Sequence, residues 1–135
     1  MTNILNLFKF IEEKRPQYRV PFEYKLVNSP ETITNDDLKV GGDIDLYDTP
    51  ITSLPNDLKV GGDLNLSYTQ IKSLPKGLKV GGFIDLEGTE ITSLPNDLKV
   101  GGDLYLTNTP ISKKYSKEQI KQMVPGIKGN IFYKS

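Results

Sequence analysis

The sequence predicts an α/β-type repeat solenoid, in which short parallel strands from successive coils stack side by side. A unit of twenty residues recurs four times without insertion, and each unit alternates apolar and polar side chains over a short stretch. Each unit also has more apolar side chains than one coil can bury alone, so neighbouring coils must share a core. The copies begin at Leu38, Leu58, Leu78 and Leu98, and the last lacks the Ser-Leu-Pro ending. Residues 1–135 are expected to form a single domain.

The second copy predicts how one coil is built. The stretch from Val60 to Leu66 alternates in a way that suits one short strand with its leucines pointing inward. Gly61-Gly62 allows a backbone bend and a close approach of neighbouring coils. Thr69 ends the strand, and its hydroxyl can satisfy backbone groups of the following loop. Pro75 then fixes an extended return path.

Residues 61–75 carry a pattern found in other repeat proteins, L-x-x-L-x-L-x-x-N-x-[IL]-x-x-L-P. They read Gly61-Gly62-Asp63-Leu64-Asn65-Leu66-Ser67-Tyr68-Thr69-Gln70-Ile71-Lys72-Ser73-Leu74-Pro75. Over residues 38–112 the chain therefore resembles the leucine-rich-repeat family, and its short unit is similar to bacterial and bacteriophage members. The resemblance implies a parallel sheet of about six strands with an extended, irregular convex side. Thr replaces the family's usual Asn in all four units.

Residues 1–37 are predicted to form an N-terminal cap, because the first coil of a solenoid exposes core. It would begin with a helix whose apolar face holds Ile4, Leu7, Phe8 and Ile11. That helix could instead bind a partner or mediate dimerisation. Tyr18–Leu26 resembles a degenerate first coil, and 28–37 is expected to be an irregular loop.

Residues 113–135 are predicted to form a C-terminal cap consisting of a helix and a strand. Ser116 and Gln119 fit a capping box, so a helix is expected over Lys117–Val124. Pro125-Gly126 would stop it. Residues 127–133 repeat the pattern of 100–106, which predicts a last strand that closes the sheet.

Composition restricts the chemistry that the chain can perform. Cys, His and Trp are absent, which excludes disulfides and Cys- or His-based metal sites. No cofactor and no metal are expected. No apolar run approaches the ~20 residues that a membrane span needs, and the N-terminus lacks the features of a secretion signal. We therefore expect a cytoplasmic, mainly monomeric protein without membrane contact.

The zero net charge conceals a division along the chain. Residues 31–110 carry six Lys against thirteen Asp and Glu, and residues 111–135 carry six Lys against one Glu. The Lys-rich end lacks Arg and any recognised motif, so no direct nucleic-acid binding is expected. The Lys of each Leu-Lys-Val precedes the strand and is expected on the rim.

Side chains between the inward leucines should project onto one shared face, which the resemblance implies is a concave binding surface. Its predicted partner-binding residues are Asp43, Asp45, Tyr47, Asp63, Asn65, Tyr68, Phe83, Asp85, Glu87, Asp103 and Tyr105. Like charges on adjacent strands cost stability, so a row of carboxylates needs an explanation. One explanation is that the carboxylates were copied with the repeat and that water and nearby Lys residues screen their charge. A second is that they bind a basic partner, and a third is that they bind a divalent cation.

We expect a non-enzymatic protein-protein interaction module that binds a basic partner through this face. A narrower hypothesis, from the family's occurrence in phage and bacteria, is an inhibitor of a host nucleic-acid-binding factor. One alternative is a structural protein that self-associates through the solenoid ends. Another is a carboxylate-based hydrolase, which a shallow, solvated face disfavours because little there raises a pKa.

Overall fold

A computed structural model describes residues 21–133. The predicted helix around Ile4–Ile11 lies outside these residues. Within them, the chain forms a repeat solenoid of stacked parallel strands, as predicted. The strands are β1 Lys39–Val40, β2 Ile44–Asp45, β3 Lys59–Val60, β4 Leu64–Asn65, β5 Lys79–Val80, β6 Ile84–Asp85, β7 Lys99–Val100, β8 Leu104–Tyr105 and β9 Ile131–Phe132.

Each coil contributes two short strands to two separate sheets. The first sheet has the order β1-β3-β5-β7, and the second has the order β2-β4-β6-β8-β9. Residues twenty apart pair in parallel, for example Ile44 with Leu64. The prediction of one strand per coil in a single sheet of about six is therefore wrong for residues 21–133.

The paired glycines explain why the strand divides. The Gly61 N–H donates to the Val40 carbonyl oxygen at 2.7 Å, and the Gly62 N–H donates to the Gly42 carbonyl oxygen at 3.0 Å. The backbone bends between these two bonds, where the chain passes from the first sheet to the second. A Cβ on Gly61 would lie 2.5 Å from the Gly41 carbonyl oxygen, so only glycine lets the coils approach this closely.

The core runs as a continuous column between the sheets and the return segments. Leu58, Leu64, Leu66 and Ile71 are completely buried, and their equivalents in the other coils pack against them. The return segment that follows each second strand includes turns but no helix or strand in the first three coils. Because every coil shares its apolar side chains with its neighbours, removing one coil would expose the others.

The threonine of each repeat closes a turn, and three of the four threonines are buried. The Thr69 hydroxyl donates to the Leu66 carbonyl oxygen at 2.7 Å. Thr49, Thr89 and Thr109 make the same bond, at 2.8, 2.7 and 2.6 Å. The predicted use of the hydroxyl on loop backbone is confirmed.

Replacing Thr69 by Val should lower the free energy of unfolding by about 1–3 kcal/mol. Val has nearly the same shape, but it leaves a buried carbonyl oxygen without its hydroxyl donor. Urea unfolding would measure the loss. Thr52→Val, at an exposed position, is the control and should change stability little. Equal stability of the two variants would contradict the assigned role of Thr69.

The N-terminal part of the described chain is helical. Helix α1 spans Phe22–Asn28, which begins after Pro21, and short 3-10 turns follow at Pro30–Thr32 and Asp36–Leu38. The prediction of a degenerate strand-containing coil is therefore wrong for residues 21–26. By sequence position Val20, Tyr24 and Leu26 match the Val, Ile/Leu and Leu of the repeat, but Leu26 is buried on a helix.

Helix α1 is also held by a buried ion pair. The Lys25 Nζ lies 3.2 Å from an Asp37 carboxylate oxygen. Burial alone would raise the pKa of Asp37, but the Thr34 N–H and the Lys25 ammonium outweigh it and lower that pKa. The ion pair therefore stabilises the fold at a pH above the ordinary pKa range of Asp. This stability is lost as the pH falls through the lowered pKa of Asp37.

The C-terminal cap follows the prediction closely. Helix α2, Pro110–Lys114, starts at Thr109, and helix α3, Lys117–Met123, starts at the predicted capping box. The Gln119 N–H donates to the Ser116 hydroxyl oxygen, and the Gln119 side chain accepts from the Ser116 N–H. Strand β9 then pairs with β8 and closes the second sheet. Helix α2 was not predicted, although Thr-Pro is a common helix start.

Candidate functional site

The second sheet carries the predicted binding residues on its outward side. We call this surface the acidic-aromatic face; it comprises Asp43, Asp45, Tyr47, Asp63, Asn65, Tyr68, Phe83, Asp85, Glu87, Asp103, Tyr105 and Phe132. The sheet register places Asp45, Asn65, Asp85 and Tyr105 in one row. Phe132 pairs with Tyr105 and extends that row. It is missing from the predicted residues, although the similarity of 127–133 to 100–106 points to it.

The carboxylates of Asp43, Asp63 and Asp103 each join their own coil to the one that follows. The Asp43 Oδ1 accepts the Asp63 N–H at 2.8 Å, and the Asp63 Oδ1 accepts the Phe83 N–H at 2.9 Å. Asp103 makes the same bond to the Asn130 N–H at 2.8 Å. These bonds explain why the fold tolerates like charges on adjacent coils, because each charge meets a backbone amide dipole.

The second row turns the chain after each strand. Asp45, Asn65 and Asp85 accept the backbone N–H two residues later, at 3.1, 3.0 and 3.0 Å. Because Asn65 makes the same bond, the bond needs a side-chain oxygen and not a charge. The negative charges of Asp45 and Asp85 therefore have no structural role in these turns.

Asp85 is the carboxylate of this row that burial affects most clearly. Burial raises its pKa, the charge of Glu87 adds to the rise, and the hydrogen bond from the Glu87 N–H opposes it. The raised pKa means that the folded state disfavours the ionised carboxylate relative to the unfolded chain. A cationic ligand would offset that cost.

Aromatic rings form two groups on the same face. Phe83 and Tyr105 meet edge to face with ring centroids 5.6 Å apart, and Tyr105 stacks on Phe132 at 5.3 Å. In the earlier coils Tyr47 and Tyr68 meet edge to face at 5.9 Å. Phe132, Tyr47 and Tyr68 remain 41%, 56% and 47% exposed, so the rings offer apolar area to a partner.

Tyr68 adopts an unusual backbone conformation. Its φ of 57° lies in the left-handed region, where the equivalent positions hold Asp48, Gly88 and Asn108. These three residue types tolerate that region far better than an aromatic residue does. The Tyr68 hydroxyl donates to a Glu87 carboxylate oxygen at 3.1 Å, and this bond raises the pKa of Tyr68. A strained, exposed tyrosine points to a function that outweighs the strain.

Replacing Tyr68 by Asn should raise the thermal midpoint by about 3 °C, because the backbone strain is relieved. Asn108 already occupies the equivalent position at a φ of 58°. Differential scanning calorimetry would measure the change, with Tyr47→Asn as a control that removes the other ring of the pair. A midpoint that falls for Tyr68→Asn would show that ring packing outweighs the strain.

The lysines of the repeat lie elsewhere than predicted. Lys39, Lys59, Lys79 and Lys99 stand inside the strands of the first sheet, where they pair in register, and not on a rim before the strand. All four are exposed. The Gly-Gly bend thus separates a basic row on one sheet from the acidic-aromatic face on the other.

The part of the chain that the structure describes offers neither a cluster of metal ligands nor a helix that could span a membrane. Across residues 21–133, no three His, Cys, Asp or Glu side chains come together in a way that could hold a metal ion. In the same part of the chain, no helix has the length and apolarity to cross a membrane. The carboxylates lie in rows along the sheet.

Comparisons of the chain with protein-family models, with curated proteins and with solved structures found no match.

Proposed function

We propose that the protein is a non-enzymatic binding module that takes up a basic protein partner on the acidic-aromatic face. The observation that carries this proposal is the contact between Phe83, Tyr105 and Phe132 on a surface whose neighbouring rows hold carboxylates. Aromatic side chains are the usual energetic anchors of interfaces, and charges around them steer and orient the partner.

The free energies that ion pairs and aromatic side chains contribute to binding explain why both carboxylates and aromatic residues are needed. Exposed ion pairs contribute only about 0.2–1 kcal/mol each, so carboxylates alone would hold a partner weakly. Buried aromatic anchors contribute about 2 kcal/mol or more each. Five strands at a spacing of ~4.8 Å give a face about 20 Å long, which suits an interface at the small end of the usual range.

The proposal extends to the repeat family and to the kind of partner. The repeat pattern supports membership of the leucine-rich-repeat family, with short units of the bacterial or phage type. An inhibitor of a host factor that binds nucleic acid would use the acidic rows to occupy that factor's basic groove. Such binding should weaken steeply as salt rises, because partly exposed charges contribute to it.

A basic peptide rich in Arg tests the proposal through fluorescence anisotropy. The variant Asp45→Asn/Asp85→Asn removes two charges and keeps both turns, as Asn65 demonstrates. We expect it to bind the peptide about tenfold more weakly, which corresponds to ~1.4 kcal/mol. Because burial raises the pKa of Asp85, the stability of this variant at pH 7 should not fall.

The matched control is Asp57→Asn/Asp97→Asn, which changes the net charge equally at exposed positions off the face. It should bind the peptide like the unaltered protein at moderate salt. Equal weakening by both double variants would show that net charge, and not the face, governs binding, and the proposal would fail.

A further inference from the structure

The first sheet carries a second charged surface that the proposed function does not use. Lys39, Lys59, Lys79 and Lys99 follow one another at one per coil, which places them ~4.8 Å apart. Beside them runs a row of exposed glycines, one from each Gly-Gly pair. We call these two rows, with Lys128, the lysine groove; its volume is about 880 Å³.

The groove contains cations without matching anions. The side chains that line it come from lysine and valine, and no carboxylate is among its lining residues in the described chain. The ion pairs recorded between residues 21 and 133 are Lys25 with Asp37 and Lys72 with Glu90, so the lysines of the groove have no ion-pair partner there. Four like charges in register on adjacent strands cost stability, which an anionic ligand would offset.

The floor of the groove restricts how a ligand is recognised. The N–H groups of Gly61, Gly81 and Gly101 donate to the preceding coils at 2.7, 2.8 and 2.8 Å, so they cannot bind an anion. Glycine has no side chain to read a ligand, but it lets a chain lie close to the backbone. Recognition would therefore depend on lysine charge and would be independent of ligand sequence.

Acidic residues flank the groove residues along the chain on both sides. Asp57 and Asp97 lie two positions before Lys59 and Lys99, and the Asp43 and Asp63 row lies beyond the glycines. A nucleic-acid duplex, whose major groove alone is about 12 Å wide, would place its second strand against these carboxylates. A single strand presents one backbone to the lysines and avoids this repulsion.

From these observations we propose that the lysine groove binds the phosphodiester backbone of a single-stranded nucleic acid. An acidic peptide would gain only ~0.2–1 kcal/mol per exposed ion pair, which does not offset the cost of association. A nucleic acid also releases its condensed counterions, and this supplies most of the free energy of non-specific binding. The sequence predicted no nucleic-acid contact, because its Lys-rich C-terminal end lacks Arg and any recognised motif.

Anisotropy of a labelled oligothymidylate of about 15 nucleotides tests the proposal, since this length matches known single-strand sites. We expect detectable binding near 20 mM salt and a log–log salt slope of about −3, as four neutralised phosphates predict. Lys59→Glu/Lys79→Glu should weaken binding at least tenfold and roughly halve the slope. Its matched control, Lys72→Glu/Lys76→Glu, makes the same charge change outside the groove and should bind like the unaltered protein.

Three results would overturn the proposal. The first is an equal loss of oligothymidylate binding in the two double variants. The second is tighter binding of a duplex of the same sequence. The third is that polyglutamate displaces the labelled oligothymidylate as effectively as unlabelled oligothymidylate does. Because these variants leave the acidic-aromatic face intact, the Arg-rich peptide should still bind to Lys59→Glu/Lys79→Glu. Failure of the groove and failure of the proposed function can therefore be told apart.

Discussion

Replacing Gly81 by Ala should lower the free energy of unfolding by about 3 kcal/mol or more. The added Cβ would overlap the Gly61 carbonyl oxygen of the preceding coil, which is backbone and cannot rotate away. The coils would have to separate locally, and the hydrogen bond from the Gly81 N–H to the Val60 carbonyl oxygen, 2.8 Å long, would be strained. Urea unfolding followed by circular dichroism would measure the loss.

Gly41→Ala is the matched control for this substitution. It occupies the same position in the first coil, but no described residue lies within 4 Å of the Cβ that it would add. Its stability should stay within ~0.5 kcal/mol of the unaltered protein. If both variants lost stability equally, the effect would come from backbone conformation and not from the approach of the coils.

The double variant Phe83→Ala/Tyr105→Ala should weaken binding of the Arg-rich peptide by about 30-fold or more, since each ring is expected to act as an anchor. The two rings contact each other and lie between carboxylates, so their removal takes away apolar area and leaves every charge in place. Isothermal titration calorimetry would give the affinity. Binding should lose little of its salt dependence.

Met123→Ala serves as the control for aromatic loss, because Met123 is also large, apolar and 40% exposed, but lies on helix α3 outside the face. It should leave binding unchanged. If Phe83→Ala/Tyr105→Ala bound the peptide as tightly as Met123→Ala does, the acidic-aromatic face would bind through charge alone and without aromatic anchors.

The repeat itself could be predicted from the sequence in detail. A fixed period of twenty residues determines which residues pair between coils, and Ile44 with Leu64 follows directly from it. The inward leucines and the Thr turn follow from alternation and from hydroxyl chemistry. The capping box at Ser116 was predictable because its two residue types and their spacing fix one local geometry.

Other features depend on geometry that the residue pattern does not contain. Alternation from Val60 to Leu66 is compatible with one strand. Gly61-Gly62 allows a bend, but the residue pattern does not say that the bend divides the strand between two sheets. Helix α1 was missed because three apolar residues matched the repeat by position. Pro21 stands at the N-cap, where Pro is not a preferred residue, and no side-chain cap marks the helix start.

The role of the carboxylates could be predicted only in part. Their common face follows from the strand alternation. The hydrogen bond from the Asp63 N–H to the Asp43 carboxylate cannot be predicted without knowing the distance between two coils. This bond changes how the face should be probed: Asp63→Lys would break the link to Phe83 as well as reverse a charge. Asn substitutions separate the two effects because they keep the oxygen.

The contacts of the Asp43 and Asp63 carboxylates with the amides twenty residues later have an evolutionary consequence. Since the bonds, the glycine approach and the core all connect equivalent positions, an in-frame duplication of one unit would create a new junction with the same contacts as the old ones. Phe83 marks an exception, because it offers no oxygen to the Asp103 amide. Genes of this kind can therefore lengthen by unequal recombination without a new folding solution, and surface residues are then free to diverge copy by copy.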